Sequence, residues 1–187
     1  MSCLNAWIFD VYPAPAGVTI WLIDRDGVKH RCSTDFSPSF FLQLNEREAK
    51  RVEALARRCS VPLKLQCTQR RELFSGDWRD VTQIFVQDAT RFREAVAYFE
   101  KILPPFSFYN SNVLPAQLFL YETNLFVLAF GEYEISDEGK LINWTLHDSR
   151  EAVEYSVPPL SVMTMKNAFD FVPPKYQRNI QLELSYE

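Results

Sequence analysis

Hydrophobic and polar positions change rhythm several times along this chain, and each rhythm predicts an element. Trp7, Phe9 and Val11 alternate with Ile8, Asp10 and Tyr12, the two-residue period of a strand. Val18 to Ile23 is apolar and rich in β-branched residues. Val28 to Cys32 follows after Asp24-Arg25-Asp26-Gly27. Gly27 can take the left-handed backbone that closes a short hairpin loop, so the chain is expected to open as a meander.

The middle of the chain switches between periods. Phe40 to Leu44 reads as a strand. Asn45 with Glu48 makes an N-cap pair, and Ala49, Val52, Leu55, Ala56 and Cys59 then recur at helical spacing. Val61-Pro62 stops that helix. Leu63, Leu65 and Cys67 alternate as a strand, and Val81 to Val86 forms another. Phe92, Ala95, Val96, Phe99 and Ile102 mark a second amphipathic helix, Pro104-Pro105 ends it, and Phe106 to Tyr109 extends again. The order strand, helix, strand, strand, helix, strand is the split βαβ pattern of ferredoxin-like and RNA-recognition-motif-like folds. Val52, Leu55, Phe92, Val96 and Phe99 are expected to be buried on one face of a single sheet, against Leu63, Leu65, Ile84 and Val86.

Residues 114–123 predict a short helix after Leu114-Pro115. Leu125 to Tyr133 and Lys140 to Leu146 predict a second hairpin around Ser136-Asp137-Glu138-Gly139. Residues 147–157 are polar and read as a linker. Leu160 to Met165 reads as a strand, and so does the alternation Ile180, Leu182, Leu184, Tyr186, which points to a chain that continues. The fold class is therefore α+β: a β-rich meander and a split βαβ unit at 36–111, followed by the first strands of another domain.

Composition narrows the function. The 187 residues are 47% hydrophobic and carry a net charge of −4, so nucleic-acid contact needs a local basic patch rather than an overall basic excess. No apolar run approaches the ~20 residues of a membrane helix, and no secretory leader opens the chain, so a cytoplasmic protein is expected. Four cysteines without a CxxC pair and only two histidines argue against zinc, and the thiols read as reduced and mostly buried. His30 and His147 read as surface residues without partners. Asp10, Asp24, Asp26 and Asp35 read as solvated carboxylates at strand ends or turns.

No P-loop, GxGxxG or GxSxG is present, so no catalytic residue is assigned. The candidate chemistry is nucleic-acid binding. Arg47, Lys50, Arg51, Arg57 and Arg58 stud the first helix, and Lys64, Arg70 and Arg71 lie on the following strand. Such a stripe either tracks phosphates or simply solvates a helix face. Trp78 and Tyr109 are candidate stacking platforms. Phe85, Phe106 and Phe108 are further candidates, though packing against the helices claims about half of these aromatics by alternation.

Several segments together resemble the start of family B DNA polymerases, particularly the archaeal enzymes and bacterial DNA polymerase II. These are WIFDVYP, VTIWLIDRDGVKHR, FSPSFFLQL, RRELFSGDWRDVTQIFV and FYNSNVLPAQLFLYETNLFVLAFGEYE, with PPLSVMTM where the family begins its first exonuclease strand. The resemblance implies an amino-terminal domain over 1–146, a linker at 147–157, and a truncated exonuclease-like start at 158–187. It also implies a role facing the single-stranded template, with the exonuclease and polymerase domains of the parent chain as partners. The parent polymerase would use Mg2+; this chain needs no cofactor.

Two departures follow. Relatives end the strand after Pro-Pro in Asp-Ile-Glu, whose carboxylates bind exonuclease metals, whereas Lys166, Asn167 and Ala168 stand there, so the proofreading motif reads as degenerate. Archaeal relatives also pocket a template uracil in this domain. Pro38 and Val81 match its wall, but Ser39 replaces a Tyr, and Pro115 and Leu118 replace a Phe and an Arg, so uracil sensing is expected to be lost. The expected function is a non-catalytic, template-side domain of a DNA-directed DNA polymerase that binds single strands weakly. The alternatives are a stand-alone ferredoxin-like regulatory or interaction module, or an RNA-binding module.

Overall fold

The computed structural model describes residues 1–44, 46–104, 108–152, 154 and 156–159; at 46 and 47, 163–167 and 182–186 it describes the backbone alone. The elements run β1 (Ser2–Ala14), β2 (Gly17–Asp24), β3 (Lys29–Asp35), β4 (Ser39–Leu42), α1 (Glu46–Ala56), β5 (Leu63–Arg71) and β6 (Trp78–Val86). A 3-10 turn (Ala89–Arg91) leads into α2 (Phe92–Glu100), then β7 (Phe108–Tyr109), α3 (Pro115–Thr123), β8 (Phe130–Ile135), β9 (Leu141–Leu146), β10 (Met163–Asn167) and β11 (Leu182–Tyr186).

The first sheet has five strands in the order β3-β2-β1-β8-β9. The opening meander forms as its alternation predicts, with one correction. A bulge between Ile8 and Asp10 places an extra residue opposite β2 and shifts the side-chain phase. Ala6, Ile8 and Val11 therefore enter the core while Phe9 is exposed. Strict alternation cannot reveal this, because a bulge depends on the partner strand. Asp10 lies at that bulge inside β1, not at a strand end, and accepts from the Val11 amide at 2.8 Å.

The core of this sheet gathers Val18, Ile20 and Leu22 from β2 with Cys32, Tyr133, Ile135 and Leu141. Burial there pushes the Cys32 thiol up to about 11, so it stays protonated. Cys3 and Cys67, by contrast, are exposed and Cys59 is half-buried, which corrects the expectation of mostly buried thiols. The Tyr133 hydroxyl is held up in pKa by burial and donates to the Ala129 carbonyl at 3.0 Å.

The hairpin at Gly27 forms, with Gly27 at φ 77°. It also corrects the histidine reading. The Asp24 carboxylate accepts from the Asp26 and Val28 amides and lies 2.7 Å from His30 Nε2, because Asp24 sits at the end of β2 as His30 enters β3. His147 likewise has a partner, Glu132, at 3.7 Å. Asp35 pairs with Lys140 at 3.2 Å.

The second sheet has the order β5-β6-β4-β7, with every neighbouring pair antiparallel. This is the expected split βαβ arrangement, with α1 and α2 packed on one face. Phe40, Leu42, Val52, Ile84, Val86, Phe92, Val96 and Phe99 form one buried cluster, with Leu55, Leu63 and Leu65 at its margin. The Phe40 ring meets Phe92 and Phe99 edge-on, each at 5.9 Å. The expected Asn45 cap lies outside the described residues. Helix α1 ends at Ala56, so Arg57 and Arg58 occupy the turn beyond it.

Helix α3 joins the two cores, since consecutive residues face different layers: Leu118 packs into the second core and Phe119 into the first. Pro115 opens this helix, where a missing amide hydrogen costs nothing. Asn124 (φ 58°) closes it, and Leu128 is also left-handed (φ 67°), so the expected strand from Leu125 begins only at Phe130. Residues after β9 are tied to the body. Arg150 donates to the Leu120 and Leu125 carbonyls at 2.9 and 2.6 Å, and the Trp7 indole donates to the Ser156 carbonyl at 2.9 Å. β10 and β11 pair as an antiparallel hairpin with Met165 opposite Leu184.

Candidate nucleic-acid interface

The face of the second sheet turned away from α1 and α2 carries the candidate site. Cross-strand partners share a face, so the register aligns Arg70 with Arg79, Gln83 with Phe41, and Phe41 with Tyr109 on that side. The β5–β6 hairpin tip and α3 wall it into an open cleft of about 820 Å³. Phe41, Arg70, Arg71, Arg79, Val81, Gln83, Tyr109, Leu118, Tyr121 and Glu122 line the cleft, with Leu73 and Phe74 at the tip.

A chain of polar contacts crosses its floor. Gln83 Nε2 donates to Ser39 Oγ at 2.8 Å, and Arg70 Nη2 reaches Gln83 Oε1 at 3.5 Å. The Arg70 guanidinium also sits 5.4 Å from the Phe41 ring centroid, a cation–π contact that holds it over the aromatic face. Tyr109 donates its hydroxyl to Gln43 Oε1 at 2.8 Å, which fixes its ring. Desolvation by the cleft walls raises the Glu122 carboxyl above the usual carboxylate range, and the charge of Arg70 partly opposes it.

Of the residues expected to bind nucleic acid, the cleft brings together Arg70, Arg71 and Tyr109. Lys64 shares the face of Arg70 but lies at the far end of β5, six residues or ~20 Å along the strand. Trp78 is 68% exposed on β6 and lies outside the cleft lining. Lys50 and Arg51 belong to the helix layer behind the sheet, so the basic stripe is split between two faces. The Arg47 side chain and Phe106 lie outside the described residues. Phe108 packs into the helix core, stacked on Phe40 at 6.3 Å.

The positions that the resemblance sets against the archaeal uracil pocket are divided as well. Val81 and Leu118 line the cleft. Ser39 is buried and meets the cleft through its bond to Gln83, and Pro38 and Pro115 are buried outside the cleft lining. Lys166 and Asn167 fall in β10, and Ala168 lies outside the described residues.

Sequence reasoning missed Phe41, Arg79, Gln83, Tyr121 and Glu122. The pair Phe40-Phe41 did hold a signal, because adjacent strand residues must face opposite ways and only one can enter the core. Tyr121 and Glu122 gave none, since they reach the cleft only through the docking of α3. No group of three or more histidine, cysteine or carboxylate side chains among the described residues could hold a metal ion. No helix among them is long and apolar enough to cross a membrane.

A search of solved structures finds the family B DNA polymerase from the hyperthermophilic archaeon Pyrobaculum calidifontis, at a TM-score of 0.67 over 88% of this chain and 14% sequence identity. The chain shares the fold of one part of that enzyme. It spans 22% of that polymerase's length, so the comparison concerns one part of a larger enzyme. No protein-family model and no curated protein matches the sequence. At this identity the likeness is one of fold alone, and the composition of the cleft is this chain's own.

Proposed function

We propose that this chain is the template-facing, amino-terminal part of a family B DNA-directed DNA polymerase, and that its cleft holds single-stranded DNA ahead of synthesis rather than catalysing a reaction. The observation that carries this reading is the cleft. Three arginines and a row of aromatic rings line it, on a polymerase fold, in a chain whose overall charge is −4. Guanidinium groups neutralise phosphates and aromatic faces stack bases without regard to sequence. Residues 158–187 are the start of an exonuclease-like domain whose motif at Lys166, Asn167 and Ala168 lacks metal-binding carboxylates, so the chain itself hydrolyses nothing. The parent's magnesium chemistry belongs to its other domains, which are also the partners of this one. Uracil is not singled out, because Leu118 and Ser39 supply neither the charge nor the ring of the archaeal wall.

Fluorescence anisotropy of a labelled single-stranded oligonucleotide tests the reading. The expected dissociation constant is about micromolar or weaker at physiological salt, with affinity ~10²–10³-fold lower than at low salt. Arg70→Ala with Arg79→Ala should abolish most of that salt dependence. Absence of binding at low salt, or binding unchanged by the double substitution, overturns it.

A further inference from the structure

The β5–β6 hairpin ends in two apolar side chains held out in solvent. Leu73 is 87% exposed and Phe74 94%. Single exposed hydrophobic residues are ordinary on protein surfaces, but two in sequence on a fixed loop at the mouth of a cleft are not. This loop is fixed. The Glu72 amide donates to the Asp77 carbonyl at 2.8 Å and the Gly76 amide to the Glu72 carbonyl at 2.9 Å. The Glu72 carboxylate accepts from the Phe74 and Ser75 amides at 3.1 and 2.9 Å, and the Ser75 side chain together with these amides draws its pKa down. Arg71 Nε donates to the Gly76 carbonyl at 2.9 Å, and Gly76 turns the chain at φ 73°. A loop with its backbone so satisfied loses little entropy on presenting Phe74 to a partner.

The charge around the tip selects the partner. Arg70, Arg71 and Arg79 line the same cleft against Glu72 and Glu122; Glu72 is already engaged by backbone amides, and Arg79 also pairs with the exposed Asp77 at 3.1 Å, a solvent-screened contact that a phosphate can replace. An anionic polymer with flat apolar units fits guanidinium groups beside an exposed ring.

We propose that Phe74 is a stacking wedge: it inserts against an unstacked base of a single strand whose phosphates lie on Arg70 and Arg79, with Tyr109 on the sheet floor of the same cleft. This rests on the single-strand reading above and adds to it a residue and a mode of contact. Stacking is indifferent to sequence and to salt, whereas the phosphate contacts depend steeply on salt, so the two parts are separable.

The test uses the full 187-residue chain and single strands carrying one 2-aminopurine. Binding is expected to change the 2-aminopurine fluorescence. Phe74→Ala should weaken binding about tenfold, leave the salt slope as it was and remove the fluorescence change, whereas Phe74→Trp should preserve affinity. Because the Phe74 side chain touches solvent on nearly all sides, the thermal unfolding midpoint should not move, and a midpoint shift would overturn the placement. Binding with a normal salt slope that ignores Phe74→Ala overturns the wedge and leaves the single-strand reading intact. Absence of any binding overturns both. Concentration-dependent self-association abolished by Phe74→Ala would mean that the tip docks on protein, and overturns the wedge.

Discussion

The two sheets solve the same problem differently. The five-stranded sheet curls until its edges meet: the Ser33 amide on β3 donates to the Gly139 carbonyl beside β9 at 3.0 Å, and Lys140 bridges to Asp35. Its apolar face is consumed by its own curvature together with Phe119 and Leu125 from α3 and the turn after it. The four-stranded sheet stays open, with α1 and α2 packed on one face only; its other face, bordered by α3, keeps Arg70 and Tyr109 exposed over the half-buried Phe41 and the buried Gln83. A closed sheet supplies stability, and a half-covered sheet supplies a surface for binding. Helix α3 makes them one unit, with Leu118 and Phe119 in different cores.

The strongest challenge to that picture is a cavity in the second core. Phe40→Ala should cost about 3–5 kcal/mol. With Trp78 of β6 replaced by Phe, the remaining Trp7, Trp21 and Trp144 all lie in the first sheet, so their fluorescence should lose its folded signal at the same denaturant concentration as the circular dichroism of the whole chain. A tryptophan transition that stays at its wild-type midpoint would show that the sheets fold apart. Leu118→Ala should cost about 2–4 kcal/mol and reveal whether α3 couples them, through a broadened or split denaturation curve.

The polar floor of the cleft comes next. Gln83→Leu leaves the buried Ser39 hydroxyl without its partner and should cost about 1–3 kcal/mol in chemical denaturation. An unchanged midpoint would mean that the floor is not structural. Glu122→Gln acts in the opposite direction. Its carboxyl is raised in the folded state, so its contribution is fully present below the unfolded carboxylate pKa and is lost as pH rises through the higher folded value. The variant should therefore melt slightly higher than wild type at neutral pH and alike at acid pH. Removing this carboxylate should also tighten single-strand binding, by up to roughly fivefold.

The smallest effect belongs to the closed sheet. The His30 hydrogen bond, with the Val28 and Asp26 amides, lowers the pKa of Asp24. Its stabilisation is present above the ordinary carboxylate pKa and fades as pH falls through the lower folded value. Asp24→Asn should flatten that acid limb in thermal melts from neutral to strongly acid pH, and leave DNA binding unchanged.

The period of the hydrophobic pattern carried much of the fold. Helical spacing at Val52, Leu55, Phe92 and Val96, set against alternation at Leu63, Leu65, Ile84 and Val86, determined a split βαβ unit with its helices on one face, because side-chain direction in each element is local geometry. Gly27 and Pro115 likewise marked a turn and a helix start through backbone restrictions that no partner alters. Tertiary structure decided what depends on a second strand or a docked helix. The bulge at Phe9 arises from pairing with β2. The Asp24–His30 contact arises where a hairpin brings two elements together. The cleft itself exists because α3 and the β5–β6 tip stand over the open sheet face, bringing Arg70, Arg79, Tyr121, Glu122 and Phe74 together from three elements and a turn. Nothing in the spacing of those residues along the chain announces that meeting, since their distance in space is set by packing and not by sequence.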